Sequence, residues 1–361
     1  MSKFYCSLGL MSGTSGDGVD ASIIQSDGDT KYEVILDKYF KYNEEIYQNI
    51  HKLKEKINNS TDLKNFAKEI QLLEKEITTF HAKAVNEIVK NFKSNIDFIG
   101  FHGQTIFHNA EEKISKQLGQ GEELSRLTNK NVVYNFRQND LKNGGEGAPL
   151  TPIFHKLIKN KYNLKLPLII LNIGGIANVT DIDLNDKISS NDIGPGNCLI
   201  DKWIRNNSKM KYDEDSKTAI AGKVDQILLS RAIKNFKKIK KLKSYDVRDF
   251  DLSFVRELSL EDGAATLIEY TSEILSEYLK SPEKNIIISG GGRKNKFLIK
   301  RIEKKINNKL KLIDDFGING DFVESQAFAF LAIRSYLKLP ISFPETTGVS
   351  EPVTGGEICK F

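Results

Sequence analysis

Two stretches of the chain share one pattern, an apolar run, a glycine turn and a second apolar run. The first is LGLMSGTSGDGVDASIIQ (8–25) and the second LPLIILNIGGIANVTDI (166–182). Short apolar runs bounded by glycine predict buried strands, so each stretch reads as a hairpin. KYEVILDKYF (31–40) predicts a further strand. FAKEIQLLEKEITTFHAKAVNEIVKNF (66–92) sets Phe66, Ile70, Leu73, Ile77, Phe80, Ala84 and Ile88 at steps of three and four, an amphipathic helix whose stripe packs on a sheet. NIDFIGFHGQT (95–105) predicts a short buried strand ending in a polar loop, and NVVYNF (131–136) another strand.

The second half continues the theme. NIIISGGGRKNKFLIKRI (285–302) predicts strand, glycine turn and helix. EDGAATLIEYTSEILSEYLK (261–280) is a helix with Ala265, Ile268, Thr271, Ile274 and Leu275 inward, and ESQAFAFLAIRSYLK (324–338) an alanine-rich one. Alternating strands and helices imply α/β layers. Two halves opened by similar hairpins imply a duplicated architecture with a cleft where the halves face each other.

Composition narrows the class. A chain of 361 residues exceeds what one core usually serves, so two domains are expected. With 39% hydrophobic and 28% charged residues it reads as a folded soluble protein. No apolar run nears the roughly 20 residues of a membrane span, and MSKFYCSLGL has no signal-peptide core. Cys6, Cys198 and Cys359 form no CxxC, which suits reduced thiols. A cytoplasmic location without membrane attachment is the expectation. The net charge of +5 is spread along the chain, and its densest run, IKNFKKIKKLKS (233–244), has the spacing of a helix with a solvated basic face. No base-reading or stacking motif accompanies it, so no nucleic-acid partner is expected. His51, His81, His108 and His155 lack metal-ligand spacing, and Trp203 reads as core.

Four glycine turns follow apolar runs: MSGTSGDGVD (11–20), NIGGIANVTD (172–181), NDIGPGNCLID (191–201) and SGGGRKN (289–295). Such turns bare backbone N–H groups to phosphate oxygens, and four in one chain point to a nucleotide. Neither GxxxxGK[ST] nor a strand-to-helix GxGxxG occurs, which excludes a P-loop and a dinucleotide fingerprint. Asp17 and Asp20 beside phosphate-binding amides would repel the anion unless Mg²⁺ intervened.

These blocks, together with GFHGQTIFH (100–108), QLGQGEELSRLT (117–128), NFRQNDLKNGGEGAPLTPIFH (135–155), VESQAFAFLA (323–332) and KLPISFPETTG (338–348), resemble the anhydro-N-acetylmuramic acid kinases of the actin, hexokinase and heat-shock ATPase superfamily. The resemblance runs nearly end to end and in the family's order. It implies two actin-like (ribonuclease H-like) α/β domains flanking a nucleotide- and sugar-binding cleft. Their expected bounds are 1–138, with about 345–361 packing back, and 139–344. A homodimer is also implied.

The implied reaction takes 1,6-anhydro-N-acetylmuramic acid, ATP and water to N-acetylmuramic acid 6-phosphate and ADP, in peptidoglycan recycling. Asp192 matches the family's catalytic base. Gly13, Thr14, Ser15, Gly16, Asp17, Gly18, Val19 and Asp20 would wrap the phosphates, with Asp17 and Asp20 toward Mg²⁺. Gly174 and Gly175 would form a facing phosphate loop, and Gly290, Gly291 and Gly292 would approach the nucleoside. His102, Gln104, Thr105, Arg137, Asp140 and Glu324 match sugar-binding positions, with Arg137 suited to the lactyl carboxylate. Other readings stay open on the residues alone. Asp192 could cap the helix starting near Asn197, His102 could be structural, Arg137 and Asp140 could pair, and Glu324 could answer a helix dipole. Rival functions are a levoglucosan-type kinase and a non-catalytic nucleotide-binding module. Gly16, where the family has a larger apolar residue, and Ile193, where it has threonine, depart from the pattern.

Overall fold

The computed structural model describes residues 3–90, 92–238, 244–281 and 283–361. It divides into two compact units, one of residues 1–164 with 321–361 and one of 165–320.

The first unit is built on a sheet ordered β12-β6-β4-β1-β2-β3, with β5 added beside β4. Its strands are β1 (Tyr5–Ser12), β2 (Gly18–Ser26), β3 (Tyr32–Lys41), β4 (Phe98–Asn109), β5 (Ile114–Leu118) and β6 (Val132–Tyr134). The remaining strands of the chain are β7 (Leu168–Ile173), β8 (Ile176–Ile182), β9 (Ile188–Pro195), β10 (Asn285–Ser289), β11 (Lys311–Leu312) and β12 (Glu357–Cys359). β1, β2 and β3 form an antiparallel meander, β4 runs parallel to β1, and β6 runs parallel to β4. One face packs on the helices Glu44–Lys56 and Ala67–Val89, whose Ile70, Leu73, Ile77, Ala84 and Ile88 are buried as their spacing predicts.

The other face receives the helix Val323–Tyr336. Gly9 and Gly100 are register neighbours on β1 and β4. A Cβ at Gly9 would lie 1.8 Å from the Ser325 carbonyl oxygen, and one at Gly100 2.2 Å from that of Phe328. Two bare positions therefore open a slot for a helix backbone, and the small side chains of ESQAFAFLA let it enter. This docking joins residues 321–344 to the first unit, and Pro152–Lys161 lies on the same side of the division. The boundaries expected from sequence, 138/139 and 344/345, differ for that reason. β4 also departs from expectation. It continues through His102–Gly103–Gln104 to Asn109, because β5 pairs with the stretch expected to be a loop.

The second unit repeats the plan, with order β11-β10-β7-β8-β9. β7, β8 and β9 form the meander, and β10 and β11 follow parallel to β7. The duplicated α/β architecture is thus present in both sheets. The helices Cys198–Asn207, Leu260–Leu279 and Lys296–Ile306 cover one face. Trp203 lies in that core with its indole N–H donating to Leu260 O at 2.9 Å. Part of the basic run forms the helix Gln226–Phe236, whereas residues 239–243 lie outside the described residues.

Candidate active site

In the first unit the β1–β2 turn is held from beneath by side chains. Ser12 Oγ lies 2.7 Å from Gln104 Oε1 and 2.9 Å from Gly18 O, and receives the Tyr42 hydroxyl at 3.2 Å. Gln104 Nε2 donates to Gly13 O at 3.0 Å. From above, Lys54 Nζ donates to Thr14 O at 2.9 Å and His51 Nε2 meets Ser15 O at 3.0 Å. Three successive carbonyls, of residues 13 to 15, are thereby turned to protein donors. Gln104, expected at the sugar, instead spends its amide on this turn.

Gly16, the least explained residue of the motif, has φ +62°. A side chain there would be strained and would meet Ile50 Cγ2 at 3.0 Å. Asp17 is exposed and accepts from Ser15 Oγ at 2.5 Å, and Asp20 stands on β2 opposite Tyr39. Burial, then Asp17 and Asp20, raise the Tyr39 phenol well above its ordinary pKa. Both carboxylates therefore act on one small region. No group of three or more His, Cys, Asp or Glu among the described residues is arranged to hold a metal ion. A pair of carboxylates at a glycine turn fits Mg²⁺, which keeps most of its waters and needs few protein ligands.

His102, Arg137 and Glu324 come together from β4, the turn after β6, and the first turn of Val323–Tyr336. His102 is buried against Phe328, at 4.5 Å between ring centroids. Burial, and then the Arg137 cation, hold its pKa well below the ordinary value, so the imidazole is neutral. Nδ1–H accordingly donates to Gly103 O at 2.8 Å, and Nε2 accepts from Arg137 Nη2 at 2.9 Å. Arg137 Nη1 donates to Gly147 O at 2.7 Å. Burial raises the Glu324 carboxyl above its ordinary pKa, opposed by Arg137. Asp140 accepts Gly147 N–H at 2.6 Å and the Thr347 hydroxyl, shaping the turn around residues 144–147. Thr105 accepts from Gln117 Nε2 at 3.2 Å.

In the second unit the turns are held by backbone. Gly174 O accepts from Asn197 N at 2.9 Å, and Gly175 O from Gly196 N at 3.0 Å and Cys198 N at 3.1 Å. The Gly174–Gly175 turn thus offers its carbonyls to the start of the helix Cys198–Asn207, while Gly174 N–H closes on Ile176 O at 3.2 Å. Asp192 lies within β9 and accepts Tyr245 N–H at 2.7 Å, so it is not the cap of that helix, whose cap residue is Asn197. Gly290, with φ +78°, and Gly292 press on β7, where added Cβ atoms would come within 2.3 Å of Asn172 Oδ1 and 2.2 Å of Ile173 Cγ2. Gly291 meets nothing within 4 Å. Of the three glycines, only Gly291 has no packing reason to be bare.

A row the motifs did not single out crosses the second sheet at these turns. Ser289, Asn172, Asn178 and Asp192 are register neighbours on β10, β7, β8 and β9. Its polar character was visible in the sequence, but its alignment was not.

Duplicated α/β units, with glycine turns at strand ends and a buried carboxylate beside one of them, are the arrangement expected of an enzyme that uses a nucleotide. The family is then decided by comparison. A family model described as anhydro-N-acetylmuramic acid kinase matches residues 5–360, and the chain belongs to that family. It is 54% identical over 373 aligned residues, covering 100% of both chains, to the anhydro-N-acetylmuramic acid kinase of Pelagibacter ubique. The enzyme of that name from Zymomonas mobilis is 39% identical, with 97% of this chain and 98% of the relative covered. Solved structures are more distant. The activator of the 2-hydroxyisocaproyl-CoA dehydratase from Clostridium difficile with bound ADPNP covers 91% of this chain and 94% of its own at 11% identity and TM-score 0.42. The (R)-2-hydroxyglutaryl-CoA dehydratase component A of Acidaminococcus fermentans covers 92% and 100% at 11% identity and TM-score 0.47. Superposition this loose bears on nothing further. No helix among the described residues is long and apolar enough to cross a membrane.

Proposed function

We propose that this kinase uses ATP and water to open the 1,6-anhydro bond of 1,6-anhydro-N-acetylmuramic acid and phosphorylate the O6 released. The products are N-acetylmuramic acid 6-phosphate and ADP, and the setting is cytoplasmic peptidoglycan recycling. The observation that carries this reading is the end-to-end family match, at 54% identity to one relative bearing that name.

Asp192 is the base. Its carboxylate takes a proton from water as the water oxygen attacks the anomeric carbon. The C1–O6 electron pair passes to O6, O6 attacks the γ-phosphorus, and the bond to ADP breaks. Phosphoryl capture of O6 replaces the acid a glycosidase would supply. Tyr245 N–H on Asp192 Oδ2 fixes the orientation of the carboxylate. Residues 13–20, Gly174, Gly175 and Gly291 receive the nucleotide, with Gly290 and Gly292 shaping the turn that carries Gly291. Gln104 acts on the phosphates through the turn it braces. His102, Thr105, Arg137, Asp140 and Glu324 form the sugar side, with Arg137 supplying positive charge for the lactyl carboxylate. Mg²⁺, when bound, would be held by Asp17 and Asp20 and would neutralise phosphate charge. Family resemblance also favours a homodimer.

Incubation with the anhydrosugar, Mg-ATP and ¹⁸O-water tests the coupled reaction. The expected result is label in the anomeric hydroxyl of a 6-phosphate product. Label confined to free phosphate would mean ordinary ATP hydrolysis. A parallel incubation with levoglucosan tests the sugar, since equal turnover of both would remove the role of the lactyl and N-acetyl groups.

A further inference from the structure

We propose that Asn178 is the second holder of the attacking water, acting opposite Asp192; the inference rests on the reaction proposed above. A bulge sets this pair. Ala177 opposes Gly194 while Asn178 opposes Asp192, so Ile193 is an extra residue on β9. Without the bulge Asn178 would oppose Ile193, and Asp192 would oppose Val179. Bulges of this kind re-aim side chains beside active sites.

Which face the pair occupies follows from the core. Ala177, Val179 and Ile193 pack into the helical core of the second unit. Asn178 alternates with Ala177 and Val179, so its side chain stands on the opposite face, and its cross-strand neighbour Asp192 stands there with it. Asn178 Oδ1 is buried and has no hydrogen-bond partner among the described residues. A buried amide oxygen without a donor is costly, so the site calls for a donor that the chain does not supply.

Directly opposite residues on antiparallel strands hold their Cβ atoms about 5 Å apart. An amide oxygen and a carboxylate oxygen are both acceptors, so neither can serve the other, and Asn178 Oδ1 takes no hydrogen bond from the described residues. A molecule with two O–H donors answers both. Water placed there donates one hydrogen to Asn178 Oδ1 and the other to Asp192, which leaves a lone pair directed away from both. In the reaction the hydrogen on Asp192 transfers to the carboxylate, the lone pair forms the bond to the anomeric carbon, and the hydrogen on Asn178 stays on the new hydroxyl. The C1–O6 pair leaves with O6, as above, so protons and electrons balance without another reactant. Asn178 thereby fixes the direction of attack, and Asp192 supplies the basicity.

The test compares wild type with Asn178→Ala and Asn178→Asp, measuring kcat, both KM values, Tm and the pH dependence of kcat. Asn178→Ala is expected to lower kcat about 10- to 100-fold, with KM for ATP and for the anhydrosugar within about twofold. Asn178→Asp puts a second carboxylate beside Asp192. The acid limb of kcat against pH is then expected to move to higher pH, because two neighbouring anions resist ionising together. A purely structural role would lower Tm and disturb both KM values without moving that limb. An Asn178→Ala enzyme with wild-type kcat, or an Asn178→Asp enzyme with an unmoved limb, overturns the inference alone. Wild-type protein inactive on the anhydrosugar overturns the proposed reaction, and this inference with it.

Discussion

The two units repeat one strand order yet secure their leading glycine turns by opposite means. In the first unit the turn after β1 rests on side chains, namely Ser12, Gln104, Tyr42, His51 and Lys54. In the second, the turn after β7 is tied through carbonyl groups to the start of the following helix. A turn held by side chains is adjustable by single substitutions. A turn held by backbone changes only with the fold. The proposed chemistry divides likewise, with the Asp17 and Asp20 pair in the first unit and Asp192 in the second.

The largest effect is expected at the carboxylate of the second unit. Asp192→Asn keeps an acceptor for Tyr245 N–H but removes the base, so kcat for sugar phosphorylation should fall about 1,000-fold with KM for ATP unchanged. Steady-state kinetics decides it, and near-normal turnover would take Asp192 out of the mechanism. Next comes the adjustable turn. Gln104→Ala leaves Gly13 O and Ser12 without their amide partner, so KM for ATP should rise about tenfold, the equivalent of about 1.4 kcal/mol. Unchanged nucleotide affinity would mean that the turn does not need its brace.

Acid should also separate the units. All five histidines, His51, His81, His102, His108 and His155, lie in the first unit. Burial lowers His81 and His155 to about 4 and, with Arg137, holds His102 well below its ordinary value. The unfolded chain binds protons below about pH 6.5 that these folded imidazoles refuse. Their contribution is therefore complete above that pH and is lost as pH falls toward 4. Hydrogen exchange across this range should show residues 1–164 opening before 165–320, and simultaneous opening would contradict the asymmetry.

The smallest effect should distinguish neighbouring glycines. Gly290→Ala places a Cβ in a left-handed conformation against Asn172 and Ile173, and should cost about 1–3 kcal/mol. Gly291→Ala should leave stability within about 0.5 kcal/mol. Thermal unfolding of the pair measures the difference, and equal losses would refute the division into packed and open glycines.

The hairpins, the amphipathic helix Ala67–Val89 and the family blocks were legible because apolar period and glycine placement are local properties of the chain. Asp192 was legible only as part of a motif, and its partner was not, since Tyr245 lies 53 residues away. The same holds for Gln104, which braces Ser12 across 92 residues. Nothing in the letters HGQT announces β5 as a partner, so by themselves they read as a polar loop. The division between the units is not legible in the sequence, because Gly9 and Gly100 accept a helix from the far end of the chain.

What the sequence by itself determined is therefore most of the elements, the repeated hairpin pattern and the family. The tertiary structure alone decided which residues meet. Side chains alternate along a strand, so one extra residue reverses every pairing beyond it. The bulge at Ile193 is such a residue, and by it Asp192 faces Asn178 rather than Val179.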